Sequence, residues 1–381
     1  MPQDLYIYTH EFSPKRGGIA TYCHEFATAA ASLIDQVVVI GPKGAQPLGE
    51  FASAYLIKQS NNQGSHNPSC IWKTSRVVRQ NLQDRPTAIH LLAEPGPILA
   101  YGMLSHEHSK GRQVHLTLHG SEIERWRSHP ISNALARRAF RNAESIQVVS
   151  TPILDSLLHA FPETTLKAKV VHNALPEAFR QTSAQQAINP SSVNNSDRMK
   201  VLSVGRLHPR KGFDQIIQAI ALLTNEEKSR LQYTIAGAAK DRAYLARLKR
   251  LAETAGIQID FQLNLDNEKL CNCYAAADVF ALTSMPRKKS VEGFGIVYLE
   301  AGAYELPCLA YDAGGVREAV RNGSTGILVE TGDVEALSQQ LRFFLQHPKT
   351  RQQMGKANQR FALSRTWEDV VRETLMEESG H

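Results

Sequence analysis

Short runs of Val, Ile and Leu recur along this chain with helical stretches between them, and that alternation leaves few folds open. LYIY (5–8) is followed by a helical stretch from about Gly18 to Leu33, and then come VVVI (37–40), AIHLL (88–92), VHLTL (114–118), SIQVV (145–149) and AKVV (168–171). Nearly continuous apolar runs suit strands buried on both faces, as in parallel sheets, with the intervening helices as the covering layers. QTSAQQAINPSSVNNSDR (181–198) breaks the rhythm. It is rich in Ser, Asn and Gln, and reads as a linker or exposed loop. The alternation then restarts with KVLSVG (200–205), QYTIAG (232–237), IQIDF (257–261), DVFAL (278–282), PCLAY (307–311) and GILV (326–329). A chain of 381 residues is also too long for one ordinary core. The sequence therefore predicts an α/β protein of two Rossmann-like, doubly wound domains facing each other across a cleft. The first spans 1–178 and the second 199–363, with a linker at 179–198. SRTWEDVVRETLMEE (364–378) reads as a terminal helix capped by Ser364 or Thr366.

Composition narrows the function. The formal net charge of +6 suits phosphate-bearing ligands or an anionic membrane surface and is too weak to argue for nucleic acid. The five cysteines include no Cys-X-X-Cys pair, so reduced thiols are expected and no metal site is. MPQDLYIYTHEF has no basic region followed by an apolar segment, and no apolar run approaches the roughly 18 residues of a spanning helix. A cytoplasmic protein is expected. The segment RWRSHPISNALARRAFR (125–141) combines an aromatic with five arginines and reads as either a solvated helical face or a peripheral contact with anionic lipid at the inner membrane face.

The chemistry-bearing residues follow strand ends, where ligands bind in such folds. In VGRLHPRKGFD (204–214), Arg206, Arg210 and Lys211 precede Gly212 and a helical run. Cations beside a glycine at a strand-to-helix turn suit a phosphate, although the loop alone reads more readily as a solvated charge cluster. In SPKRGGIATY (13–22), Gly17 and Gly18 permit positive φ and close approach of backbone to a ligand, and the following helix can turn its amides to an anion. Neither a Walker loop nor a Gly-X-Gly-X-X-Gly fingerprint is present. His119 directly follows an apolar strand and stands as either a structural or a catalytic residue. In SVEGFGIVYLE (290–300), Glu292 lies in a loop and Glu300 lies roughly two helical turns later. Gly293 and Gly295 expose amides at the helix start, where a diphosphate is stabilised. Carboxylates accept from the paired hydroxyls of sugars. One acid for a sugar ring, one for a ribose and phosphates between them is the layout a nucleotide-sugar needs. Gly314–Gly315 could add further amides.

Together these segments resemble glycosyltransferase family 4, retaining enzymes of the GT-B fold. The resemblance rests on GG at 17–18, HG at 119–120, VGRL…KG at 204–212, AAADVFALTS at 275–284, EGFGIVYLEA at 292–301, and GG at 314–315 with NGSTGILV at 322–329. Within the family, MPR…VEGFGIVYLEA is similar to the phosphatidylinositol-mannoside mannosyltransferases. The resemblance implies that Arg206 and Lys211 hold the donor diphosphate and that Glu300 binds the ribose. It implies that Glu292, with the amides of Gly293, Phe294, Gly295, Ile296 and Val297, binds the transferred hexose. Gly17 and Gly18 would contact the diphosphate, His119 would line the sugar site, and the last helix would cross back near Trp367. The reaction implied moves a hexose from a nucleoside diphosphate sugar to a hydroxyl acceptor, with no cofactor. The absence of an Asp-X-Asp motif fits a metal-independent enzyme. FQLNLDNEKL (261–270) lacks the glycine usual at this place, which leaves the base open between UDP and GDP. A sugar-nucleotide epimerase of the same fold and a non-catalytic sugar-nucleotide binding protein remain the alternatives.

Overall fold

The computed structural model describes residues 4–15, 17–47, 55–60, 67–188, 198–287 and 291–376. The chain divides into two compact units, Met1–Asn173 with Thr366–His381, and Ala174–Arg365.

The first unit is built on β1 (Asp4–Tyr8), β2 (Gln36–Pro42), β3 (Leu56–Ser60), β4 (Ile89–Leu92), β5 (Gln113–Leu118), β6 (Ser145–Val148) and β7 (Ala168–Val170). They form one parallel sheet in the order β3-β2-β1-β4-β5-β6-β7. The apolar runs become its interior: Leu5, Ile7, Val39, Leu91, Leu116 and Val148 are fully buried. β3 is the one strand absent from the sequence reading, and its position explains why. It lies at the sheet edge with a single neighbour, so LIKQS has no need of an apolar run.

The second unit repeats the plan with β8 (Met199–Val204), β9 (Leu231–Gly237), β10 (Ile259–Leu263), β11 (Val279–Leu282), β12 (Cys308–Tyr311) and β13 (Gly326–Val329). The order is β10-β9-β8-β11-β12-β13, again all parallel. Each sheet reverses its strand order beside its first strand, at β1/β4 and at β8/β11. Loops leaving those strand ends form the crevice in which ligands of doubly wound sheets are held.

Part of the expected linker is ordered differently. A helix, Glu177–Ile188, takes in the start of the polar run, and Arg180 anchors it by donating to the carbonyls of Leu363 and Arg365 at 3.3 and 2.8 Å. Residues 189–197 lie outside the described set. The terminal helix Trp367–Leu375 carries a capping box, in which the Thr366 hydroxyl accepts from the Asp369 amide and the Asp369 carboxylate accepts from the Thr366 amide. Its Trp367 is buried in the first unit with its ring 5.6 Å from Tyr22, and the carbonyl of Thr374 accepts from Gln147 at 3.0 Å.

One glycine fixes the local geometry of the second unit. Gly212 has φ 69°, and a Cβ there would meet the Thr283 carbonyl at 1.9 Å. The Thr283 hydroxyl donates to the Gly212 carbonyl at 2.7 Å, and the Met285 amide donates to the Arg210 carbonyl at 2.7 Å. The loops after β8 and β11 are thus stitched together. Gly212→Ala is expected to destabilise by about 2–4 kcal/mol, combining left-handed strain with a backbone collision. Urea unfolding followed by tryptophan fluorescence and circular dichroism checks this, and an unchanged transition would contradict it.

Candidate functional site

In the second unit the cations of the β8 loop meet the first of the two acids. Glu292 Oε2 accepts from Lys211 Nζ at 2.7 Å, Ser284 Oγ at 2.7 Å and Arg210 Nη1 at 3.0 Å. Each donor is delivered by a strand end: Arg210 and Lys211 by the short 3-10 turn Pro209–Lys211 after β8, and Ser284 by the segment after β11. The backbone of Glu292 is pinned as well, because its carbonyl accepts from the Gly315 amide at 3.0 Å. Gly315 was expected to offer its amide to a ligand. The structure commits that amide to the loop instead, and Gly314, at φ 57°, lets the chain pass close to Val291 and Glu292.

The second acid is held differently. Glu300 sits on the helix Ile296–Ala303, and its Oε2 accepts from Tyr274 Oη at 2.7 Å. Gly295 caps this helix at φ 92°, where a Cβ would strike the Tyr298 ring at 2.6 Å. Tyr298 is itself fixed by donating to the Leu282 carbonyl at 2.9 Å. The helix start therefore lies at the end of β11, with the amides of Ile296 and Val297 in its open first turn.

The two carboxyl groups are shifted in opposite directions. Burial works against charge on Glu292, but Lys211 and Arg210 outweigh it and hold the group down to about 2. Burial dominates at Glu300 and lifts it to about 7, against the lowering effects of the Tyr274 hydroxyl and Lys211. Lys211 thus acts on both acids. Two acids set apart in this way around one cation make this cluster the candidate functional site. His208 accepts from the Arg210 amide at 3.2 Å, and desolvation with Arg287, Arg210 and Arg206 around it keeps its pKa low. Arg206 is exposed and makes no ion pair among the described residues.

The first unit places its expected residues, Gly17, Gly18 and His119, in the segments after β1 and β5. The helix Gly18–Ala30 opens after Gly17, whose φ of 162° is extended backbone. Neither glycine uses the left-handed freedom that glycine permits, so chain geometry does not require them. A Cβ on Gly18 would meet no atom within 4 Å, so open space lies over that helix start. His119 Nε2 lies 2.9 Å from the Ala93 carbonyl. The carbonyl can only accept, so Nε2 is the donor in this bond and Nδ1 is the ring nitrogen not engaged by it. The ring packs edge-on to Tyr22 at 5.1 Å, which links His119 through Tyr22 to Trp367.

The comparisons with known proteins agree with this plan. Residues 16–178 match the "Glycosyltransferase Family 4" model and residues 184–361 match "Glycosyl transferases group 1". A GDP-mannose-dependent alpha-(1-6)-phosphatidylinositol monomannoside mannosyltransferase of Mycolicibacterium smegmatis is 28% identical over 368 residues, covering 94% of each chain. A D-inositol 3-phosphate glycosyltransferase of Streptomyces coelicolor is 30% identical over 241 residues, 58% of this chain and 51% of that one. Among solved structures, a sucrose-phosphate synthase of Thermosynechococcus elongatus superposes with a TM-score of 0.78 at 18% identity, covering 97% of each chain. Anabaena HepE in complex with UDP-glucose gives 0.73 at 18% identity, covering 97% of this chain and 98% of that one. The chain belongs to the family 4 glycosyltransferases. Its two parallel sheets are those of the GT-B fold.

Sequence reasoning about this glycosyltransferase singled out Arg206, Lys211, Glu292 and Glu300 but gave no partner to either acid. Ser284 and Tyr274 were missed, and Arg210 was seen only as a loop cation. The signals existed: Ser284 stands just past β11, and Arg210 neighbours Lys211. The basic segment at 125–141 divides between core and surface. Trp126 faces the core, fully buried, because it closes the helix Ser121–Arg127 against Phe140. Arg127 pairs with Glu124, and Arg137 pairs with Glu163 while covering the Phe161 ring. Arg138 and Arg141 remain exposed. Among the described residues no helix is long and apolar enough to cross a membrane.

The opposite shifts give opposite stability signs. Glu300 keeps its proton to about 7 when folded against 4.5 when unfolded, so its contribution to stability falls as pH rises from about 4.5 through 7. Glu292 is ionised down to about 2, so its contribution is present above about 4.5 and is lost as pH falls toward 2. Glu300→Gln is expected to raise the melting temperature near pH 8 and to leave it almost unchanged near pH 5. Glu292→Gln is expected to lower it at both. Scanning calorimetry at the two pH values decides the matter, and a Glu300→Gln protein that melts below wild type near pH 8 would refute the assignment.

Proposed function

We propose that this chain is a retaining, metal-independent hexosyltransferase. It takes a hexose from a nucleoside diphosphate sugar and transfers it to a hydroxyl acceptor in glycan, glycolipid or small-glycoside synthesis. The observation that carries the reading is Lys211 bonded to Glu292 and acting on Glu300 at the switch point of the second sheet. The names of the relatives favour GDP-mannose as donor. In this reading Arg206 and Lys211 hold the diphosphate with the amides of Gly293 through Val297. Glu292 takes the hexose hydroxyls and Glu300 the ribose. Gly17 and Gly18 admit the phosphates closely, and His119 offers Nδ1 to a sugar hydroxyl.

The chemistry follows from charge. The bond between the anomeric carbon and the phosphate oxygen breaks, its electron pair leaves with the diphosphate, and the sugar becomes oxocarbenium-like. The acceptor oxygen bonds to the same face, and its proton passes to the departing phosphate oxygen. Preorganised cations and helix amides lower the barrier by stabilising that leaving group. No metal is required, because the cations of the loop carry that role. The protein would work in the cytoplasm, and the exposed Arg138 and Arg141 support an added contact with anionic lipid by charge alone.

A panel of GDP-, UDP- and ADP-sugars with acceptor profiling tests the reading, and NMR of the product reports its anomeric configuration. Lys211→Ala and Glu300→Ala are expected to lower kcat/KM by at least about 100-fold. Gly18→Ala should melt like wild type and still lose turnover. Wild-type rates in the first two variants would refute the assignment. Sedimentation with anionic but not neutral vesicles, abolished by about 0.5 M salt, is the expected membrane result.

A further inference from the structure

The three cations of the β8 loop are not equivalent. Arg206 is exposed and unpaired among the described residues. Lys211 is shared, since it bonds Glu292 and acts electrostatically on Glu300. Arg210 is committed: its backbone is fixed at both ends, with the amide donating to His208 Nδ1 at 3.2 Å and the carbonyl accepting from Met285 at 2.7 Å. Its guanidinium is only 15% exposed and donates to Glu292 at 3.0 Å.

All three donors to Glu292 converge on Oε2. An oxygen that accepts three bonds, two of them from cations, is saturated, and Oε1 is left to face a ligand. When Lys211 turns toward a diphosphate, Glu292 loses its shortest cationic contact. An acid this enclosed would then face a desolvation cost without compensation unless a second cation stayed in place.

We propose that Arg210 is the positioning residue for Glu292. It keeps Oε2 anchored and its charge balanced, so that Oε1 addresses the sugar while Lys211 serves the diphosphate. The inference rests on the glycosyl-transfer reading above. It assigns Arg210 to the sugar end of the donor through Glu292 and gives it no contact with the phosphates.

The test compares Arg210→Gln, Arg210→Lys and Lys211→Ala in the full chain. Titration calorimetry with GDP and with UDP reads the phosphate end, and steady-state transfer from GDP-mannose and UDP-glucose reads the sugar end. Arg210→Gln is expected to bind the bare nucleotide within about threefold of wild type while kcat falls by at least about tenfold. Arg210→Lys should recover most of that loss, and Lys211→Ala should weaken the bare nucleotide itself. If Arg210→Gln loses nucleotide affinity as Lys211→Ala does, Arg210 is a phosphate ligand and the proposal fails. It fails equally if Arg210→Gln turns over like wild type, or if lysine rescues nothing. A wild-type chain that transfers from no sugar nucleotide refutes the underlying reading and the inference together, whereas an active wild type with an indifferent Arg210→Gln refutes only the inference.

Discussion

One carboxylate oxygen, Oε2 of Glu292, draws a hydroxyl and two cations from separate strand ends to a single point. The arrangement forces the surrounding backbone. Lys211 must arrive from the end of β8 in a tight turn, and Gly212 provides the left-handed conformation that ends it. Ser284 must leave β11 beside that turn, which the bond from Thr283 to Gly212 enforces. Glu292 must stay in register with both, and the Gly315 amide holds it there. The paired charges also make a highly basic loop compatible with a compact unit, since like charges at this spacing repel unless an acid lies between them.

The second acid shows what the first avoids. Glu300 has a tyrosine hydroxyl in place of a cation as its direct partner, and burial therefore prevails over charge. The fold tolerates a carboxyl group whose ionised form is unfavourable near neutral pH. Such a tolerance costs stability and is typical of positions kept for ligands. The two acids lie on one short stretch of chain but differ in which donors the sheet ends bring to them.

Much of the architecture was legible because parallel sheets demand it. Strands such as VVVI, VFAL and CLAY sit between two helical layers and can be nothing but apolar, so they stand out. Edge strands escape that demand: β3 was invisible, and β10 runs Ile259–Leu263 where the apolar pattern suggested 257–261. The site divided along a similar line. Residues within one stretch, such as Glu292, Gly295 and Glu300, could be read as a unit. Partners distant in sequence, such as Ser284, Tyr274 or the Gly315 amide, depend on how loops meet, and nothing in local pattern encodes that. Trp126 misled for a related reason: an aromatic among arginines resembles a lipid-facing surface until the fold turns the ring inward.

The return of the terminal helix has a consequence for biosynthesis. Tyr22, which braces His119, packs against Trp367 near the far end of the chain. During synthesis the Ala174–Arg365 body has all its residues before the earlier body does, because the latter lacks its closing helix until Trp367–Leu375 has been made. The Met1–Asn173 body starts before the other and is closed after it. In the interval a hydrophobic face beside Tyr22 is bare, and that is the stage at which chaperone capture or misassembly would occur.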